Sequence, residues 1–113
     1  MVIDMALTRI SVAQQFSPYP AGRYYDDGPN SGQRFREEHL LPALKSGEEV
    51  VVDLDGTLGY GSSFLEEAFG GLVREHGFRL SQLKQLLRLE CSVEAYVNRV
   101  WQYIVEADAR LKH

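Results

Sequence analysis

Two carboxylates, Asp53 and Asp55, stand where the apolar run Val50, Val51, Val52 gives way to a glycine-containing loop, in the string VVVDLDGTLGYGSS. Carboxylates placed this way can share a divalent cation. They can equally cap a turn by accepting backbone N–H groups, which is the commoner use and the one expected. The loop then delivers Ser62 and Ser63 to the start of an apolar-periodic stretch. Hydroxyls at a helix N-terminus either cap it or lie where free N–H groups and the helix dipole stabilise an anion. Asp53, Asp55, Glu66 and Glu67 weaken that second effect. Arg23 and Arg36 can bind an anion or a partner, or can clamp Asp53, Glu37 or Glu67 and brace the loop; the structural pairing is the expectation. His39, His76 and His113 are too far apart in the chain to show metal-ligand spacing. Cys91 is the single cysteine, expected as a buried, inert thiol, and it cannot form an intramolecular disulfide. No metal and no cofactor are expected.

Several elements have to position these residues. Leu7 to Ala13 alternates apolar and polar residues, as a half-buried strand does. Residues 17–32, rich in proline and glycine, read as an exposed loop with a short hairpin at Arg23 to Tyr25. Asn30 or Ser31 can cap a helix running through QRFREEHLLPALK, in which Pro42 predicts a kink or a tightened last turn. Val50 to Leu54 reads as a central strand buried on both faces. The stretch from Ser63 to Gly77 places Phe64, Leu65, Ala68, Phe69, Leu72 and Val73 on one stripe. Ser63 with Glu66 has capping-box spacing, and Gly70 and Gly71 suggest close approach of another backbone. A helical turn from Leu80 to Gln85 and a strand from Leu86 to Glu90 follow. Ser92 is then expected to cap a last helix carrying Val93, Val97, Val100, Trp101, Ile104 and Leu111. The order strand, helix, strand, helix, strand, helix predicts an α/β domain with a small mixed or parallel sheet.

Composition narrows the function. The 113 residues are 44% hydrophobic and 25% charged, which suits one globular domain with a single core. Sixteen acidic against twelve basic side chains give a net charge of −4, the wrong sign for gripping nucleic acid through its phosphates. No apolar run approaches a membrane span. Met1 to Arg9 has no signal-peptide core, so a cytoplasmic setting is expected. Phe64, Phe69, Trp101 and Tyr103 together suggest more apolar surface than a small core covers, hence a homodimer. Tyr19, Tyr24 and Tyr25 are candidate partner anchors.

Two resemblances sharpen the choice. The string Asp53-Leu-Asp55-Gly-Thr resembles the first motif of haloacid-dehalogenase-like phosphatases, which implies Asp53 as phosphoryl-accepting nucleophile, Asp55 as general acid and base, and Mg²⁺. That chemistry also needs a phosphate-binding Lys or Arg and a distal acidic pair; only 58 residues follow Asp55, and they offer Glu90 and Cys91 in place of the pair. The second resemblance spans residues 7–110. Gly22-Arg23, Ser31-Gly32 with Phe35-Arg36, the strand bearing Asp53, and Ser63-Phe64-x-x-Glu67-x-Phe69-Gly70 resemble a bacterial STAS-like family of small domains, distantly similar to anti-sigma-factor antagonists. This implies a STAS-like sheet of about four strands packed against helices. It also implies a non-enzymatic regulatory module that binds a protein partner, such as a histidine-kinase-like ATP-binding protein. In those antagonists a serine at a helix start is phosphorylated, and alignment puts Ser62 there, with Ser63, Phe64, Glu67, Asp53, Asp55, Arg23 and Arg36 as the surrounding candidates.

Overall fold

In a computed structural model, residues 7–111 are described, so the expectations for the segment before Leu7 and for His113 lie outside them. Three strands, β1 (Leu7–Ser11), β2 (Glu49–Asp53) and β3 (Leu87–Glu90), form one sheet in the order β1-β2-β3. Both pairings are parallel, with Ile10 beside Val52 and Val52 beside Leu89. The sheet is therefore parallel rather than mixed, and among the described residues it has three strands, not about four. The segments that could have supplied more strand turn instead. β1 stops at Ser11 because Ser11 Oγ accepts from the Gln14 N–H (3.2 Å) and the Ser11 N–H donates to Gln15 Oε1 (2.5 Å), starting a wide helical turn over Val12–Phe16. The hairpin expected near Tyr25 is a single tight turn, Tyr25–Asp27, because Asp27 Oδ2 accepts the N–H groups of Arg23 (3.1 Å) and Tyr24 (2.8 Å).

Helices α1 (32–45) and α2 (62–76) cover one face of this sheet. Ser31, fully buried, caps α1 by accepting from the Arg34 N–H (3.2 Å). Pro42 leaves no N–H for the i−4 bond, and just before it the Leu41 N–H reaches Arg36 O in a π-type turn over Arg36–Leu40 rather than a tightened one; α2, without a proline, has a like turn over Glu66–Gly70. The two helices meet at Phe35, Phe64 and Phe69, none of which has any exposed surface; the Phe35 ring lies 6.0 Å from that of Phe64 and 6.4 Å from that of Phe69. Burying each such ring stabilises by about 1.5–3 kcal/mol. Phe64 and Phe69 thus belong to the core and add nothing to a dimer surface, while Trp101 and Tyr103 pack partly buried against that core. The backbone approach expected at Gly70 and Gly71 falls elsewhere. It is Gly32 whose Cβ would stand 2.5 Å from the Phe64 carbonyl oxygen, whereas a Cβ on Gly71 would overlap the Arg36 side chain.

Among the described residues, no helix packs on the opposite face of the sheet, which carries Arg9, Val51 and Arg88. Val51 is nevertheless only 3% exposed. Arg9 and Arg88, the register neighbours of Val51 on either side, pair with Glu90 (2.5 Å) and Glu49 (3.0 Å), so these long charged side chains flank the valine. The expectation that β2 is buried on both faces holds for Val51, by this route. Leu86 belongs to α3 (Leu80–Leu86), and α4 (Glu94–Leu111) begins two residues beyond Ser92, which is therefore not its cap. Gly32→Ala should lower stability by about 2 kcal/mol through overpacking. Gly61→Ala, into open space at φ −78°, should stay within about 0.5 kcal/mol. Urea titrations of the two variants check this.

Candidate functional site

β2 ends in the loop of residues 54–61, and the carboxylates expected to do chemistry hold that loop in place. Asp53 Oδ1 accepts from the Asp55 N–H (2.9 Å). Asp55 in turn takes the backbone N–H (2.9 Å) and the hydroxyl (2.8 Å) of Ser92, with the Cys91 thiol 3.4 Å away. The Ser92 N–H and hydroxyl, with the thiol, hold the Asp55 carboxyl below its ordinary range, while burial pushes the Cys91 thiol up. Tyr60 donates its hydroxyl to Leu54 O (2.8 Å), and its ring meets that of Tyr96 edge-on at 5.1 Å. Among the described residues no three His, Cys, Asp or Glu side chains converge so as to hold a metal ion. The loop tip faces outward. Leu58 is 83% exposed, and its N–H donates to Pro18 O (3.0 Å), which sets it beside Tyr19, 61% exposed.

The helix start that follows is arranged differently from expectation. Gly61, extended, is the N-cap of α2 and makes no side-chain cap bond, so Ser62 and Ser63 occupy its first turn with exposed side chains and do not cap it. The capping box of Ser63 with Glu66 is absent because the helix starts two residues earlier, at the N-cap Gly61, and the Glu66 carboxylate meets Arg23 (2.5 Å) and Arg74 (2.6 Å). Phe64 and Glu67 are buried, so of the candidates on α2 the serines are the ones presented to solvent.

Arg23, Arg36 and Glu67 come together as an internal ionic cluster. Arg36 and Glu67, 3% and 4% exposed, pair at 2.6 Å, and the same guanidinium nitrogen also donates to Glu67 O (2.7 Å). Arg23 and Arg74 each reach the other Glu67 oxygen at 3.2 Å, and Arg36 Nε meets Glu37 (2.8 Å), which also contacts His76 (2.5 Å). The bracing role expected for the arginines is what this geometry performs, toward Glu37, Glu66 and Glu67 and not toward Asp53. Sequence reasoning missed Asp108, whose Oδ1 accepts from Arg79 Nε (2.7 Å) and from the Leu80 N–H (3.0 Å), holding the start of α3. Its signal was an acid one helical turn beyond Ile104 on the buried stripe of α4. A surface hollow of about 390 Å³ beside it, lined by Arg79, Leu80, Ser81, Lys84 and Asp108, contains none of the candidate residues.

The second resemblance implies an α/β sheet packed against helices, which these elements form, with three parallel strands among the described residues in place of about four; Arg36 and Glu67, candidates for partner binding, lie instead in a buried ion pair. The chain belongs to the family described as STAS-like domain of unknown function (DUF4325), whose model matches residues 31–89, more than half of its length. Searches of curated proteins and of solved structures gave no match. The matched span runs from Ser31 to Leu89 and so contains α1, β2, the loop and α2 entire.

The cluster generates two measurable consequences. Removing one partner of a buried pair costs about 3–5 kcal/mol, so Arg36→Met should lose about 3 kcal/mol, with Arg23 and Arg74 still facing Glu67. Arg9→Met on the open sheet face should lose less than about 1 kcal/mol. Acid dependence has a defined sign. Burial raises the Glu66 and Glu37 carboxyls, but hydrogen bonds from Arg74 and Arg23 to the first, and from His76 and Arg36 to the second, leave both below their ordinary value of 4.5. Their contribution is therefore complete above pH 4.5 and is lost as pH falls through the lower folded values. Urea unfolding across the acid range should show a shallower fall for Glu66→Gln than for the parent chain.

Proposed function

We propose that this STAS-like domain is a non-enzymatic regulatory module of the cytoplasm that binds a protein partner through the loop of residues 54–61 and the start of α2. The observation that carries this reading is the division of labour at that edge of the sheet. Asp53, Asp55, Arg23, Arg36 and Glu67 are spent on internal bonds, whereas Leu58, Tyr19 and the Ser62 and Ser63 hydroxyls are offered to solvent. An exposed leucine next to an exposed tyrosine is suited to anchor a partner, and loops at the carboxyl ends of parallel strands are the usual place for recognition. Likeness to anti-sigma-factor antagonists adds a switch: phosphorylation of Ser62 or Ser63 by a kinase-like partner. A phosphate there would add a charge of about −1.5 to −2 at the helix N-terminus, one helical turn from Glu66 or Glu67 and so competing for Arg23. Nothing in the geometry favours the phosphatase alternative, in which Asp53 would act as a nucleophile.

Affinity capture from the native host tests the module. The parent chain should retain a specific partner that Leu58→Asp and Tyr19→Asp release, and intact-mass measurement of the native protein should show a phosphate increment that Ser62→Ala or Ser63→Ala removes. Mg²⁺-dependent turnover of a generic phosphate ester that disappears in Asp53→Asn would overturn the proposal.

A further inference from the structure

Among the described residues β3 is an edge strand with its outer side open, and that edge is complementary to itself. Glu90 O accepts from the Leu54 N–H, so Arg88 and Glu90 turn their backbone groups toward β2, and the alternation of a parallel ladder points the N–H and C=O of Leu89 away from the sheet. An edge strand with unpaired backbone groups is a template for another strand. The side chains decide which strand. Leu89 is half-buried on the helix-covered face, and Arg88 and Glu90 flank it on the open face, with 67% and 53% of their side chains exposed. Arg88 meets Glu49 through Nε (3.0 Å) and Glu90 takes Arg9 on Oε1 (2.5 Å), while both side chains keep more than half their surface exposed to an outside partner.

We propose that two copies of this chain join edge to edge through antiparallel β3 strands about a twofold axis at Leu89, giving a continuous six-stranded sheet. In that register Leu89 opposes Leu89, exchanging two backbone hydrogen bonds, and Arg88 opposes Glu90 twice. A twofold perpendicular to the sheet keeps the open face on one side, so both charge pairs extend the ladder that Arg9–Glu90 and Arg88–Glu49 already form. The other edge cannot do this. β1 carries Arg9 and no acid, so antiparallel self-pairing there brings no opposite charges together. This dimer does not depend on the partner-binding loop of residues 54–61.

Sedimentation velocity across a concentration series tests the assignment. The parent chain should run as a dimer. Arg88→Glu or Glu90→Arg should raise the dimer dissociation constant about tenfold or more, because each change turns two cross-strand attractions into repulsions. The charge-swapped Arg88→Glu/Glu90→Arg chain should dimerise again, with far-ultraviolet circular dichroism confirming the fold of each variant. Hydrogen exchange of the parent chain gives a variant-free readout: the Leu89 amide should be protected in the dimer and exchange as the chain is diluted. A parent chain monomeric at every concentration, a dimer indifferent to the single reversals, or a Leu89 amide unchanged by dilution would each overturn the proposal.

Discussion

The buried ion pair between Arg36 and Glu67 is the constraint to which the helical layer is fitted. Two nearly inaccessible charges require several hydrogen bonds to be tolerable, and the surrounding sequence supplies them. Arg36 is met by Glu37, Glu67 Oε2 and Glu67 O, and Glu67 is met also by Arg23 and Arg74. The space for the guanidinium comes from Gly71, where any Cβ would occupy it. The closeness of α1 to α2 that brings the pair into register comes from Gly32 against the Phe64 carbonyl. Ser31, Gly32, Phe35, Arg36, Phe64, Glu67 and Gly71 are thus one packing solution. Arg23 ties the loop of residues 17–31 to it.

With helices among the described residues on one face only, the three-stranded sheet departs from the usual requirement that parallel sheets be covered on both sides. In their place two ion pairs, Arg9–Glu90 and Arg88–Glu49, flank Val51, which is 3% exposed. Exposed pairs of this kind contribute little stability individually. Their larger effect is to keep the open face polar and the strand edges charged, so that strands pair only where charges agree.

Much of the architecture was legible because it follows local rules. Val50 to Val52 announced β2, the stripe from Phe64 to Val73 announced α2, and left-handed Gly77 ended it where expected. The failures share a feature, which is that a side chain readable as a local cap was taken by a distant partner. Glu66 went to Arg23 and Arg74 instead of a capping box, and Ser92 went to Asp55 instead of α4. The missing strands were lost to Ser11 and Asp27, whose side chains turn the chain within three or four residues. The tightened turn expected at Pro42 is instead a wide turn just before it, of a kind that α2 makes without any proline.

The candidate site was half legible for the same reason. Its carboxylates were found by spacing, and their acidity suggested a charged surface at the end of β2. The geometry shows how those acids are held. Asp53 and Asp55 are satisfied by backbone N–H and hydroxyl donors, and Glu66 and Glu67 by three arginines, so the acids near this edge have donors of their own. Because Gly61 holds the N-cap position without a side chain, Ser62 and Ser63 are left facing solvent. The exposed groups at this edge include the Ser62 and Ser63 hydroxyls, Leu58 and Tyr19, beside the Asp55 carboxylate, whose donors are neutral and leave it charged. In the reading proposed above, such an edge would discriminate by shape and by charge added to a field that Asp55 already sets.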